Sequence, residues 1–219
     1  MNIISPSILS CDFSSLGSEI QKTDKTAAEY IHIDVMDGCF VPNLTIGPCV
    51  ISSLRKYTDK VFDVHLMINE PIRYIDAFRK AGADIITVHA EACADVAATL
   101  KKIRESGAKA GLSIKPKTDP SVLKEYIDLT DMILIMTVEP GFGGQSFIMD
   151  AVENIKYAKA LTSTLDRYVP IEVDGGVTVD TIGYAAKAGA EIFVAGSAVY
   201  KKPDISKAVD DLLLAAEKN

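Results

Sequence analysis

The sequence is defined first by what it does not contain. No apolar run in its 219 residues approaches the roughly 20 residues that cross a bilayer as a helix. Basic charge is not in excess. The formal net charge is -7, which argues against nucleic acid or an anionic membrane surface as partner. The four cysteines, Cys11, Cys39, Cys49 and Cys93, form neither a CxxC pair nor a zinc-ribbon spacing, so they read as free thiols in a reducing compartment. Met1 runs directly into Ile3-Ile4-Ser5-Pro6 with no basic leader or cleavage site, and the expected location is the cytoplasm. No linker, low-complexity tract or long charge run divides the chain, which predicts one domain over 1–219.

Apolar residues make up 48% of the chain, enough for a sizeable core. Short apolar runs alternate with helical stretches from end to end. Candidate strands fall at 2–9, 30–36, 61–67, 84–89, 109–114, 131–137, 169–174 and 192–195. Between them, Val96, Leu100 and Ile103 mark one helical face, and Val209, Leu212, Leu213 and Ala216 another. The junction Ala81-Gly82-Ala83-Asp84-Ile85 recurs as Ala188-Gly189-Ala190-Glu191-Ile192, a glycine stop before the next strand. Strand–helix alternation predicts a parallel sheet. Eight such units favour a closed (β/α)₈ TIM barrel over a doubly wound sheet, which usually has fewer strands.

Side chains alternate faces along a strand. His32, Asp34 and Met36 therefore share one face, as do Asp63, His65 and Met67, and Glu172 and Asp174. The opposite faces are almost wholly aliphatic, so the polar set belongs to the barrel interior. Barrel sites lie at the C-terminal ends of the strands. That placement sets His32, Asp34, His65 and Asp174 to converge. Any one of them alone reads as a hydrogen-bonded core residue. Together they suit one divalent metal: Zn²⁺, Fe²⁺, Mn²⁺ or Co²⁺. The third histidine, His89, is expected near the pocket rim as a hydrogen-bonded wall residue. Asp63 and Glu172 are expected one layer deeper in polar contacts, and Asp37, before Gly38, in a turn. Met36, Met67 and Met136 end three strands and read as an adaptable pocket lining or as core packing.

Three glycine turns follow the last three strands: Gly141-Phe142-Gly143-Gly144, Gly175-Gly176 and Gly196-Ser197. Glycine allows close backbone approach, and consecutive N–H groups can cradle an anion. Barrels often bind phosphate in the loops after strands 7 and 8. No lysine or arginine sits in these turns, and this mode of binding needs none.

Ser5-Pro6-Ser7-Ile8-Leu9-Ser10, His32 to Gly38 with Phe40-Val41-Pro42-Asn43, and Asp63 to Met67 bring the chain into resemblance with the ribulose-phosphate 3-epimerase family. So do Met136 to Gln145, Val173-Asp174-Gly175-Gly176 and Ala195-Gly196-Ser197. The resemblance implies a TIM barrel that reversibly inverts C3 of D-ribulose 5-phosphate to give D-xylulose 5-phosphate. It implies metal ligation by His32, Asp34, His65 and Asp174, with Asp34 and Asp174 as the acid/base pair. It also implies substrate contacts from Ser7, His65, the Gly141–Gly144 turn, Asp174 to Gly176, Gly196 and Ser197. A homo-oligomer is expected. The rivals are a sister 3-epimerase acting on D-allulose 6-phosphate and a non-catalytic sugar-phosphate sensor. A Schiff-base aldolase or decarboxylase would need a lysine in the barrel mouth, where only Lys115 is near a strand end.

Overall fold

Each predicted apolar run forms one parallel strand. In the computed structural model, which describes residues 2–218, the strands are β1 (Ile3–Pro6), β2 (Tyr30–Met36), β3 (Val61–Met67), β4 (Ile85–His89), β5 (Lys109–Ile114), β6 (Met132–Met136), β7 (Ile171–Asp174) and β8 (Ile192–Ala195). The helices are α1 (Leu16–Asp24), α2 (Pro48–Leu54), α3 (Ile75–Lys80), α4 (Val96–Glu105), α5 (Val122–Tyr126), α6 (Ala151–Thr162), α7 (Ile182–Ala188), α8 (Ser197–Tyr200) and α9 (Ile205–Glu217). Four strands are shorter than the apolar runs suggest: β4 and β6 by a single residue at one or both ends, β1 and β7 by more. β1 stops at Pro6 because the Ser7 hydroxyl accepts the Leu9 N–H and opens a 3₁₀ turn over Ile8–Ser10. β7 begins only at Ile171, since Pro170 has no N–H to donate to a ladder.

The strands are hydrogen-bonded in the order β1-β8-β7-β6-β5-β4-β3-β2, and a parallel bridge between Ser7 and His32 brings the two edges together. This is the expected (β/α)₈ barrel. The outward faces, such as Ile31, Ile33 and Val35 of β2 and Phe62, Val64 and Leu66 of β3, join one continuous core beneath the helices. The repeated glycine junctions act as expected. Gly82 and Gly189 take φ of 107° and 113°, which ends α3 and α7 in the left-handed region open mainly to glycine.

Inside the barrel the chemistry changes along the strands. At the N-terminal end Ile85, Met132 and Ile192 pack with Ile3, Tyr30 and Val61 into an apolar floor. Farther along lie Ser5, His32, Asp63, Thr87 and Glu172, each fully buried. Gly111 makes room there, because a Cβ would lie 2.1 Å from the Thr87 hydroxyl. Toward the C-terminal ends come Asp34, His65, His89 and Asp174, then Met36, Met67 and Met136. No helix among the described residues is long and apolar enough to cross a membrane.

Candidate active site and metal centre

Strand register brings the polar residues to one point. Asp34 on β2 is the Cα partner of His65 on β3, and Met36 is the partner of Met67. His32 Nε2 lies 3.3 Å from Asp34 Oδ1 and 3.9 Å from Asp174 Oδ2. His65 Nδ1 lies 3.4 Å and 3.6 Å from the same two oxygens. One donor atom from each of His32, Asp34, His65 and Asp174 lies within 4.8 Å of all the others. The four residues meet although they come from three strands that are distant in sequence.

Two observations bear on whether a cation fits there. The facing nitrogens, His32 Nε2 and His65 Nδ1, are fully buried and make no hydrogen bond among the described residues. Leaving such atoms unpaired costs about 1–3 kcal/mol each, so they fit a ligand that would accept both lone pairs. The donor set, two imidazoles and two carboxylates, matches first-row divalent metals.

The ligand-bearing residues are held from behind. Ser7 donates its hydroxyl to Asp34 Oδ2 at 2.6 Å, leaving Oδ1 facing the histidines. Thr45 donates to the Asp34 carbonyl at 2.7 Å and accepts the Met36 N–H at 3.0 Å, which secures the end of β2. Behind His32, Asp63 Oδ2 lies 2.6 Å from Nδ1 and Glu172 Oε1 lies 3.8 Å away. A carboxylate behind a metal-facing imidazole orients the ring and fixes its tautomer. This is the interior polar contact expected of Asp63 and Glu172. Asp37 caps the following turn, accepting the Cys39 and Phe40 N–H groups and that of Asn69.

Burial and neighbouring charge set the protonation states. Burial opposes charge on His32, but Asp63 and Asp34 outweigh it and hold its pKa well above 6.5. Burial likewise opposes charge on Asp34, yet His32 and His65 hold its carboxyl far below the usual range. Glu172 is pushed well above the ordinary value, by burial first and then by the Asp63 carboxylate, so it is held as the neutral acid.

His89 differs from expectation. It does not lie at the rim but is fully buried behind His65, with the two Nε2 atoms 2.9 Å apart. Phe40 covers it, with ring centroids 4.9 Å apart, and the Lys115 ammonium sits 4.0 Å from the Phe40 ring centroid. Burial lowers the His89 pKa to about 4, against the opposing pull of Glu91. The apolar surroundings at the end of β4 come from a loop that strand periodicity does not report.

Above the four facing donor atoms opens a cavity of about 520 Å³. Ser7, Asp34, the three methionines, Gly141 to Gly144, Asp174 to Gly176, Gly196 and Ser197 all border it. His32 and His65 lie beneath it, fully buried. The turn after β6 is pinned by Asn43, which donates to the Gly141 carbonyl at 2.9 Å, and by Gln145, which donates to the Glu139 and Phe142 carbonyls. Ser10 and Gln145 stand in the sequence motifs without a role assigned to them, and Thr45 stands outside the motifs altogether. Ser10 sits where a Gly196 Cβ would come within 2.5 Å of its hydroxyl. The glycines also divide into two kinds. A Cβ on Gly176 would meet the Phe147 backbone N at 2.3 Å, so that glycine is required by packing. Gly143 has only distant neighbours, at 3.9 Å, and borders open cavity.

Known proteins resemble this chain along most of its length. A family model described as the ribulose-phosphate 3 epimerase family matches residues 3–200. A ribulose-phosphate 3-epimerase of Bacillus subtilis is 50% identical over 210 residues, covering 95% of this chain and 97% of that one. The Escherichia coli K12 protein of the same name is 46% identical, covering 96% and 94%. Among solved structures, KGPDC from Streptococcus mutans superposes with a TM-score of 0.73 over 100% of this chain and 98% of that one. Orotidine 5'-phosphate decarboxylase from Pyrococcus horikoshii superposes with a TM-score of 0.68 over 99% of each chain. At 14% and 16% identity these two speak for the barrel fold alone. With half its residues shared with a relative of nearly equal length and the family model spanning all eight strands, the chain belongs to the ribulose-phosphate 3-epimerase family.

Proposed function

We propose that this enzyme reversibly inverts C3 of D-ribulose 5-phosphate to give D-xylulose 5-phosphate, with Asp34 and Asp174 as its two bases and one divalent cation on His32, Asp34, His65 and Asp174. The observation that carries the reading is the convergence of two carboxylates and two unpaired imidazole nitrogens at the floor of a cavity ringed by glycine turns.

The C3 hydrogen is weakly acidic because it neighbours the C2 carbonyl. When bound, the cation supplies Lewis-acid stabilisation of the negative charge that develops on the C2 and C3 oxygens, a contribution of several kcal/mol. Inversion then needs a proton removed from one side of the planar enediolate and another delivered to the opposite side. Asp34 and Asp174 stand on β2 and β7, between which β1 and β8 intervene where the Ser7–His32 bridge closes the barrel, so they suit opposite faces. Ser7 donates to Asp34 Oδ2 and so fixes the orientation of the carboxylate. Met36, Met67 and Met136 give the reacting carbon an adaptable apolar cover. The glycine turns after β6, β7 and β8 suit the phosphate, whose distant binding energy positions the reacting carbon. Four free cysteines suit the reducing cytoplasm. A homo-oligomer belongs to the same reading, and sedimentation velocity checks it.

Turnover in D₂O tests the two-base assignment. First-turnover D-xylulose 5-phosphate made from protiated substrate should carry deuterium at C3, because the proton removed and the proton delivered belong to different carboxylates. Product that keeps the substrate hydrogen, with exchange lagging behind epimerisation, would overturn it. Faster turnover of D-allulose 6-phosphate than of D-ribulose 5-phosphate would overturn the substrate.

A further inference from the structure

We propose that Glu91, acting through His89, sets which nitrogen of His65 carries the proton, and so makes His65 ready to ligate a cation. This rests on the metal reading above. It concerns two residues that contact neither the cavity nor the four facing donor atoms.

The argument follows the protons. Two facing imidazole nitrogens 2.9 Å apart need one proton between them, so one Nε2 donates and the other accepts. If His65 Nε2 donates, its Nδ1 is free to offer a lone pair toward Asp34 and Asp174, 3.4 and 3.6 Å away. His89 Nε2 is then bare, and the His89 proton sits on Nδ1. If the chain runs the other way, His65 carries its proton on Nδ1, the atom that must ligate, and ligation is blocked. The choice is therefore made at His89 Nδ1. That atom is buried and makes no hydrogen bond among the described residues. The group facing it is Glu91 Oε2 at 3.4 Å. A carboxylate can only accept, so it favours the proton on His89 Nδ1 and hence the ligating form of His65.

Glu91 is itself locked. Its Oε1 accepts the Lys115 backbone N–H at 2.8 Å and the Thr118 hydroxyl, both from the loop after β5. This lock makes a sharp test. In Glu91→Gln the backbone N–H still requires the amide oxygen at the Oε1 position. The amide NH₂ must then face His89 Nδ1 as a donor, which reverses the chain and places the His65 proton on Nδ1. Glu91→Ala removes the bias without reversing it.

The experiment measures Zn²⁺ affinity by competition with a chromophoric chelator, and reads the protonated nitrogen of His89 by ¹⁵N NMR of the metal-free protein. Wild type should show the His89 proton on Nδ1, and Glu91→Gln should show it on Nε2. Zn²⁺ affinity should fall about 10–100-fold in Glu91→Gln, and by less in Glu91→Ala. A merely structural role predicts the reverse ranking, because the glutamine keeps the contacts to Lys115 and Thr118 and the alanine loses them. An unchanged His89 tautomer in Glu91→Gln, or an alanine variant as weak as the glutamine one, overturns the proposal. Should the glutamine variant not fold, a His89 tautomer in Glu91→Ala that stays as fully on Nδ1 as in wild type overturns it equally. A wild type that binds no Zn²⁺ sinks the metal reading, and the tautomer measurement still decides the relay.

Discussion

The two ends of the barrel interior are built to opposite rules. At the N-terminal end Ile85, Met132 and Ile192 are 1–2% exposed and bring no polar side-chain atom to the floor. Toward the C-terminal end, β2, β3 and β7 hold His32, Asp34, His65 and Asp174, whose facing nitrogens, His32 Nε2 and His65 Nδ1, make no hydrogen bond among the described residues. The first arrangement contributes burial and close packing. The second gives up part of that stability to bring imidazoles and carboxylates together at one point. Between them lies a graded layer, Asp63 and Glu172, where a neutral acid and a carboxylate back His32 without reaching the cavity. The lesson is that one strand can serve folding at its start and chemistry at its end, because alternation and the barrel's shear separate the two sets of side chains.

The hardest test of this contrast removes a base. Asp34→Asn and Asp174→Asn should each lower kcat on the order of 10⁴-fold, with a far smaller change in the thermal midpoint, measured by coupled assay and calorimetry. His32→Ala should additionally lose bound metal in elemental analysis. A His32→Ala protein with full metal content and near-normal turnover would refute the four-ligand set.

The complementary cut is made at the floor. Ile192→Ala or Met132→Ala should cost about 2–5 kcal/mol in urea unfolding while leaving kcat/KM of the folded fraction within about threefold, or roughly 0.65 kcal/mol. A floor variant that keeps its stability yet loses activity would erase the distinction between the two ends.

The next effect concerns pH. Because His89 stays neutral in the fold down to about 4, the unfolded chain, titrating near 6.5, takes up its proton first as the pH falls. Its contribution is complete above 6.5 and declines as the pH drops toward 4, by about 3 kcal/mol at most. His32 and His65, both raised, act in the opposite sense. Their contribution is complete below 6.5 and lost as the pH rises through their folded values. Urea unfolding of metal-free His89→Gln should therefore lose less stability than wild type between about pH 7 and about pH 4.5. Parallel curves would show that His89 is not held neutral.

The smallest effect sharpens the mouth itself. Gly143→Ala should raise KM for the phosphorylated sugar by about tenfold, roughly 1.4 kcal/mol, at unchanged stability, since its Cβ meets nothing closer than 3.9 Å. Gly176→Ala should fail as protein, because its Cβ would enter the Phe147 backbone. Equal behaviour of the two variants would remove the division between an anion-facing glycine and a packing glycine.

Much of the fold could be read in the chain. The strand runs 30–36, 61–67, 109–114 and 192–195 match the observed elements, because a strand buried on both faces is a dense apolar run bounded by glycine and polar turns. The inward set His32, Asp34, Asp63, His65, Glu172 and Asp174 was legible for a related reason: on aliphatic strands a polar residue at period two stands out. His89 was placed wrongly, at the rim. Its burial depends on Phe40, which lies 49 positions earlier in the chain, and no local pattern carries that contact. Gly176 and Gly143 look alike in sequence, and only Phe147 tells them apart.

The sequence by itself determined the parallel barrel and the face on which its chemistry sits, because periodicity and side-chain polarity are local properties of each strand. The tertiary structure alone decided the distances. It closed β1 onto β2 through Ser7 and His32, and it brought donors from three strands within 4.8 Å. It also stacked His89 and Glu91 behind His65. Those relations follow from strand register and barrel closure, which belong to the whole sheet and to no single segment of the chain.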